Sequence, residues 1–184
     1  MNDPSGEAAD YGACRKKAMD LLAVRERCEE ELRRRLVRAD FSHLAIERTL
    51  GALKAEKLLD DRRFAEQFAS ERRENRGHAP ARIEHELKRR GVDRETAHSA
   101  AWGPYEQADR DPDARMLGEA MEVLRGKVGR YRGLEALTVR RRMAGVLGRG
   151  GYPAGVAMDA VDAVLDEMRS RGLLAEGEDG SDIG

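Results

Sequence analysis

Apolar positions recur along this chain at one spacing: an apolar residue, a second four positions on, and a third five beyond that, followed directly by a residue that opens a helix. The three copies are Leu32, Leu36 and Phe41 before Ser42; Ile83, Leu87 and Val92 before Asp93; and Met143, Leu147 and Tyr152 before Pro153. Residues four apart share one helical face, and Ser, Asp and Pro favour the N-cap or the first turn. Each copy therefore predicts a short helix, a tight turn and a second helix. The copies are offset by 51 and 60 residues, which suits a unit of about three helices that buries its apolar face against a neighbour.

The surrounding periodicity supplies the other helices. In the first unit one helix runs from Tyr11 to about Arg27 with Ala18, Leu21, Leu22 and Val24 as its apolar residues. A second runs from Glu29 to Arg38, and a third from Ser42 to Lys57 buries Leu44, Ile46, Leu50 and Leu53. In the second unit Asp60 or Asp61 caps a helix with Phe64 and Phe68 facing inward, which ends near Asn75-Arg76-Gly77. Pro80 opens the helix of Ile83 and Leu87, Gly91 stops it, and Asp93 begins a helix that reaches Trp102 and breaks at Gly103-Pro104. In the third, Met116, Leu117, Ala120 and Leu124 form a stripe, the basic, glycine-rich stretch from Arg125 to Gly133 is irregular, and Leu137 to Leu147 and Pro153 to Met168 are helical. Strand-like alternation is almost absent. The predicted fold class is all-α, an elongated array of three tandem three-helix repeats. Its organisation reads as a disordered N-terminus at 1–12, repeats at 13–58 and 59–103, a linker at 104–112, a third repeat at 113–171 and a disordered acidic tail at 172–184.

Composition then narrows the function classes. With 38% charged and 4% aromatic residues, the 184-residue chain has little bulky apolar material for one large core. That balance suits an array that presents surface, and points to binding before catalysis. The net charge of -1 conceals a basic body, since Lys and Arg outnumber Asp and Glu by 22 to 17 over residues 13–101, while Glu176, Glu178, Asp179 and Asp182 make the end of the chain acidic. Cys14 and Cys28 stand 14 residues apart in one helical region, too far along a helix for a bridge, which fits a reducing compartment. The sequence has neither a secretory apolar segment nor a run long enough to span a membrane, so the expected location is the cytoplasm.

Catalytic chemistry finds no support. The Asp60-Asp61 pair has no histidine or third ligand at metal-binding spacing and reads as helix capping. His43, His78, His85 and His98 are scattered, and no metal site is expected among them. Gly148-Arg149-Gly150-Gly151 lacks the lysine and hydroxyl residue of a phosphate loop and reads as a helix terminator. No serine or cysteine has a base at readable spacing, so neither an enzyme nor a cofactor is expected. What remains is arginine. Arg38, Arg89 and Arg149 occupy one register, two residues after the second apolar position of each copy. A cation there meets the negative end of the helix dipole, and a guanidinium repeated along an array also suits a repeating anionic partner. Arg33, Arg34, Arg82, Lys88, Arg90, Arg140 and Arg141 surround these three as further candidate contacts. Base reading is poorly supported, because the second helices carry few base-reading groups and the aromatic residues Phe41, Phe64, Phe68 and Trp102 are expected inside.

Particular strings carry a resemblance as well. Leu22-Ala23-Val24-Arg25, Glu31-Leu32, Leu58-Leu59-Asp60-Asp61-Arg62-Arg63-Phe64-Ala65, Ile83-Glu84-His85-Glu86-Leu87 and Gly91-Val92 resemble the RecX family of recombination regulators over Ala18 to Ala101. The third copy matches less well, with Gly150 where the family tends to carry a second arginine in the turn. The resemblance implies three tandem three-helix repeats and a modulator of the RecA recombinase; the protein is expected to be a monomer. Such a protein lies in the groove of the RecA filament on single-stranded DNA and hinders its ATPase, strand-exchange and repressor-cleavage activities. The competing expectation is a helical module that binds nucleic acid directly through its basic faces, independently of RecA.

Overall fold

The computed structural model describes residues 4–106 and 111–175. All regular elements among the described residues are helical: α1 (Pro4–Val24), α2 (Glu29–Val37), α3 (His43–Ala55), α4 (Asp61–Arg76), α5 (Pro80–Arg90), α6 (Arg94–Glu106), α7 (Pro112–Arg125), α8 (Ala136–Gly150) and α9 (Ala154–Ser170), with one 3-10 turn at Val128–Arg130. They gather into two compact units. One comprises the residues up to Glu71 together with Ile83–Ala101; the other comprises Arg72–Arg82 and the residues from Trp102 on, so that α4, α5 and α6 each contribute to both.

In the first unit Cys14 and Ala18 of α1, Leu32 and Leu36 of α2, and Ala45, Ile46, Leu50 and Leu53 of α3 close a single core with Leu59. Leu44, expected inside, is exposed. Two positions along a helix turn by about 200°, which places residue 44 opposite Ile46, and Ala45 and Thr49 complete the buried face instead. Val24, at the last position of α1, is also exposed. Both aspartates of the pair are caps. Asp60 accepts from the backbone N–H of Arg63 at 3.0 Å and starts its own helix. Asp61 accepts from Glu29 N–H at 2.7 Å and so caps α2, whose own N-cap residue, Cys28, makes no side-chain bond. Burial raises the Asp61 pKa above the usual carboxylate value.

The second unit is built on α7, α8 and α9. Met116, Ala120 and Leu124 face Met143 and Leu147, while α9 contributes Ala160, Val161, Val164, Leu165 and Met168. Its core also recruits Tyr105, which accounts for one departure from expectation. Gly103-Pro104 does not end the sixth helix, which continues to Glu106. The proline costs a backbone bond. Against that cost, Tyr105 is buried, with its hydroxyl donating to Glu119 at 2.5 Å, and Arg115 lies over its ring and donates to the Pro104 carbonyl at 2.7 Å.

Described residues near both ends make tertiary contacts. Helix α1 begins at Pro4, within the segment expected to be disordered: the Asp10 carboxylate accepts from the N–H and hydroxyl of Ser42, and Arg48 stacks on the Tyr11 ring at 4.2 Å. Gly172 does not end the fold either. Leu173 and Leu174 pack on the second core, Gly133 N–H donates to Leu173 O, and Ala175 N–H donates to Leu134 O. The remainder of the expected linker, residues 107–110, and the acidic residues Glu176, Glu178, Asp179 and Asp182 lie outside the described residues.

The recurring apolar spacing corresponds to one backbone motif made three times. Phe41, Val92 and Tyr152 each donate from the backbone to the carbonyl five residues earlier, of Leu36, Leu87 and Leu147. The residue before each donates three back: Asp40 to Val37, Gly91 to Lys88 and Gly151 to Gly148. All three of these residues have positive φ, at 63°, 102° and 84°. This pair of bonds closes a helix end through a left-handed residue and sends an apolar side chain back onto the last turn. Ser42, Asp93 and Pro153 follow, and their carbonyls accept the first bond of α3, α6 and α9 from Ile46, Ala97 and Ala157.

A second contact repeats in the same register. In the first unit the N-terminal end of α2 packs on the turn after α5: the Cys28 thiol donates to Arg90 O at 3.5 Å, Glu31 pairs with Arg90, and Glu30 lies where a Gly91 side chain would stand. In the second unit the N-terminal end of α5 packs on the turn after α8. Ala79 N–H donates to Gly150 O at 2.9 Å, Arg82 donates to Arg149 O, and a Cβ on Gly151 would come within 2.6 Å of Arg82 Cβ. Cys28 and Ala79 are the same position in their copies, as are Glu31 and Arg82. Glycine is needed at 91 and 151 for the dihedral and for the close approach together, whereas Asp40 is exposed and keeps its side chain.

Candidate functional site

The ten basic candidates divide by what holds them. Arg38, Arg89 and Arg149 sit on the last turn of α2, α5 and α8, all exposed. Among the described residues none of the three side chains makes an ion pair. Arg141 is likewise exposed on α8. Among the described residues these four carry charge that no carboxylate pairs.

The others are occupied to differing degrees. Arg33 bridges Glu29 at 2.8 Å, Glu30 at 3.6 Å and Glu47, which ties α2 to α3. Arg90 pairs with Glu31 and lies 4.7 Å over the Phe68 ring, so it packs the first unit together. Arg34 pairs with Glu30 at 2.8 Å, Lys88 with Glu84, and Arg140 with Asp162 at 2.9 Å. Arg82 is spent on the carbonyl of Arg149, which brings two of the predicted residues together at the end of α8. Exposed pairs of this kind contribute little to stability, about 0–1 kcal/mol each, and their cations exchange partners at low cost.

Sequence spacing passed over one buried cation. Arg27 is 8% exposed, donates from Nε to Leu21 O at 3.2 Å, and lines a cleft of about 270 Å³ with Met19, Leu22, Leu58 and Phe64. Burial and the neighbouring Arg25 lower its pKa. A residue in the loop between α1 and α2 has no periodic neighbours to reveal its burial.

No group of three or more His, Cys, Asp or Glu that could hold a metal is present among the described residues. Cys14 and Cys28 are both buried and unbridged, and burial raises both thiols, Cys28 to about 11. Such thiols are poor nucleophiles. No described helix is long and apolar enough to cross a membrane.

Comparison with known proteins agrees with this geometry. Residues 14–53 match the family model described as RecX, first three-helix domain, and residues 60–100 match RecX, second three-helix domain. The regulatory protein RecX of Amycolatopsis mediterranei (strain U-32) is 34% identical over 166 residues, covering 90% of this chain and 91% of that one. That of Mycolicibacterium smegmatis is 33% identical over 178 residues, covering 91% and 90%. The fold matches the crystal structure of RecX from Lactobacillus salivarius with a TM-score of 0.69 at 19% identity, over 87% of this chain and 99% of that one. Helix-turn-helix units with the same left-handed turns, matched by sequence across nine-tenths of the chain, lead to one assignment: this protein belongs to the RecX family of regulatory proteins.

Proposed function

We propose that this protein is a non-catalytic, monomeric, cytoplasmic regulator that binds the RecA nucleoprotein filament and inhibits its ATPase, strand-exchange and co-protease activities. The proposal takes the chain as three repeats, 13–58, 59–103 and 113–171. The observation that carries it is the recurrence, at one register of α2, α5 and α8, of an exposed arginine without a carboxylate partner among the described residues. A filament offers a regularly repeated surface with DNA phosphates inside its groove, and a guanidinium group that recurs once in each repeat suits such a partner. Family membership supplies the regulatory role, and relatives that match over most of their length bear the name regulatory protein RecX.

The test is the ATPase of RecA on single-stranded DNA with this protein titrated in below one molecule per recombinase subunit. Inhibition at those ratios is expected. Turnover that falls only when the protein is abundant enough to coat the strand would replace this reading with direct nucleic-acid binding. The double substitution Arg38→Ala and Arg89→Ala is expected to weaken inhibition while the unfolding midpoint stays nearly unchanged. If stability and inhibition fall together, the two arginines serve the helix dipole, at about 0.3–1 kcal/mol each.

A further inference from the structure

The pair of turn bonds that closes α2, α5 and α8 recurs after α3 and after α9. Lys57, with φ of 58°, donates to Lys54 O, and Leu58 donates to Leu53 O at 2.9 Å; Gly172 and Leu173 do the same to Arg169 and Met168. Such a turn returns an apolar side chain to the helix it closes. Val92 and Tyr152 are buried in this way, and Phe41 and Leu173 are half-buried against their cores. Leu58 is left 41% exposed. With Met19, itself 39% exposed, and with Leu22 and Phe64, it lines the cleft of about 270 Å³ that Arg27 also lines.

Arg27 supplies the chemistry of that cleft. It is 8% exposed, its Nε donates to Leu21 O, and among the described residues its terminal nitrogens donate to no acceptor. The carboxylate near enough to favour its charge is Glu31, which already pairs with Arg25 at 2.9 Å and with Arg90. Three guanidinium groups therefore share one carboxylate. Glu26 and Asp60, the two other carboxylates of the cleft, are engaged elsewhere: Glu26 pairs with Arg63 at 3.3 Å, and Asp60 caps α4. A desolvated cation that is short of a counterion and walled by carbon gains most from an anion that arrives with an apolar group of its own.

We infer that this cleft of the first unit binds a segment of the recombinase that presents an apolar side chain beside a carboxylate, the side chain against Leu58 and Met19 and the carboxylate on Arg27. The inference rests on the function proposed above and adds a docking site to it. Charge and lining select the occupant together. A nucleic-acid strand would bring successive phosphates against Glu26 and Asp60 and offers no aliphatic side chain to the cleft. A purely apolar segment would cover Arg27 and leave its donors without an acceptor.

Because Cys14 and Cys28 are buried, a cysteine placed at 58 can be labelled selectively. The full chain carrying Leu58→Cys with a benzophenone label is irradiated while bound to RecA on single-stranded DNA, and Arg27→Met and Leu58→Glu are compared with the parent in the ATPase titration. Arg27→Met removes the charge and keeps an apolar stem, so its urea midpoint should not fall. Leu58→Glu sets a carboxylate of the chain's own against Arg27. A cross-link to RecA next to an Asp or Glu, with about a tenfold rise for each variant in the concentration needed for half inhibition, is the expected result. A cross-link only to DNA, to a second copy or within this chain overturns the inference, as does one to a stretch of RecA without a carboxylate. Unchanged inhibition by Arg27→Met overturns it too. If that variant loses stability, Leu58→Glu at its exposed position decides in its place, and unchanged inhibition by it is equally fatal. The proposed function survives these outcomes if the unsubstituted protein still inhibits below one per subunit. If the unsubstituted protein neither binds nor inhibits, both fall.

Discussion

Replacing Gly151 by Ala tests whether the left-handed turn and the end-on packing of α5 are one device. Gly151 has φ of +84°, and a Cβ there would lie 2.6 Å from Arg82 Cβ and 3.3 Å from Arg82 N. An L-residue in the left-handed region costs about 1–2 kcal/mol. Forcing a methyl group against backbone and a Cβ costs about 1–3 kcal/mol more, because α5 must retreat from the bonds it makes to Gly150 O and Arg149 O. The expected loss is therefore about 2–5 kcal/mol. Gly172→Ala isolates the first cost, since Gly172 has φ of +59° and nothing within 4 Å of its would-be Cβ. Urea unfolding followed by the fluorescence of Trp102, the single tryptophan and part of the second unit's periphery, measures both variants. Equal losses for the two would refute the reasoning, because the close approach of α5 would then contribute nothing.

Arg90→Ala should destabilise the first unit by about 1–3 kcal/mol in urea unfolding, since it leaves Glu31, at 15% side-chain exposure, without this partner. Arg89→Ala, one residue away and exposed, should stay within about 1 kcal/mol. Ellman's reagent should react negligibly with the native protein at pH 8 and with two thiols once it is unfolded, because both cysteines are buried and Cys28 ionises only at about 11. Rapid labelling of the native chain would contradict that burial. Asp61 carries a folded-state pKa raised by burial, so its ionisation weakens the fold as pH rises through that pKa. Asp61→Asn keeps the acceptor for Glu29 N–H, and should equal or exceed the parent in stability at pH 7, with the difference closing on acidification; Asp61→Ala should lose about 1 kcal/mol as a missing cap. Urea midpoints between pH 4 and pH 7 check both variants.

The helical class, the three helix-turn-helix copies and the register of Arg38, Arg89 and Arg149 were legible in the chain, because each rests on local spacing. Four- and five-residue intervals name the face and the turn, and Ser42, Asp93 and Pro153 announce the next helix through the chemistry of its first turn. Where local rules met a tertiary demand, they failed. Pro104 marks a helix end by every local criterion, yet burial of Tyr105 carries α6 past it. Asp10 and Tyr11 of α1 and residues 173–175 are held by Ser42, Arg48 and Leu134, which are distant in sequence.

The same division runs through the candidate surface. Composition and spacing identified an arginine-rich binding chain, but ten basic residues look alike in one dimension. Only the fold decides that Arg33 and Arg90 are consumed by carboxylates while, among the described residues, Arg38, Arg89, Arg141 and Arg149 are not, since an ion pair depends on which helix faces which. The sequence by itself determined the repeated motif and its charge, through periodicity and turn chemistry that act over a few residues. Tertiary packing alone decided which charges remain for a partner, and that Gly91 and Gly151 face a neighbouring helix while Asp40 does not, because close approach is a property of segments brought together from far along the chain.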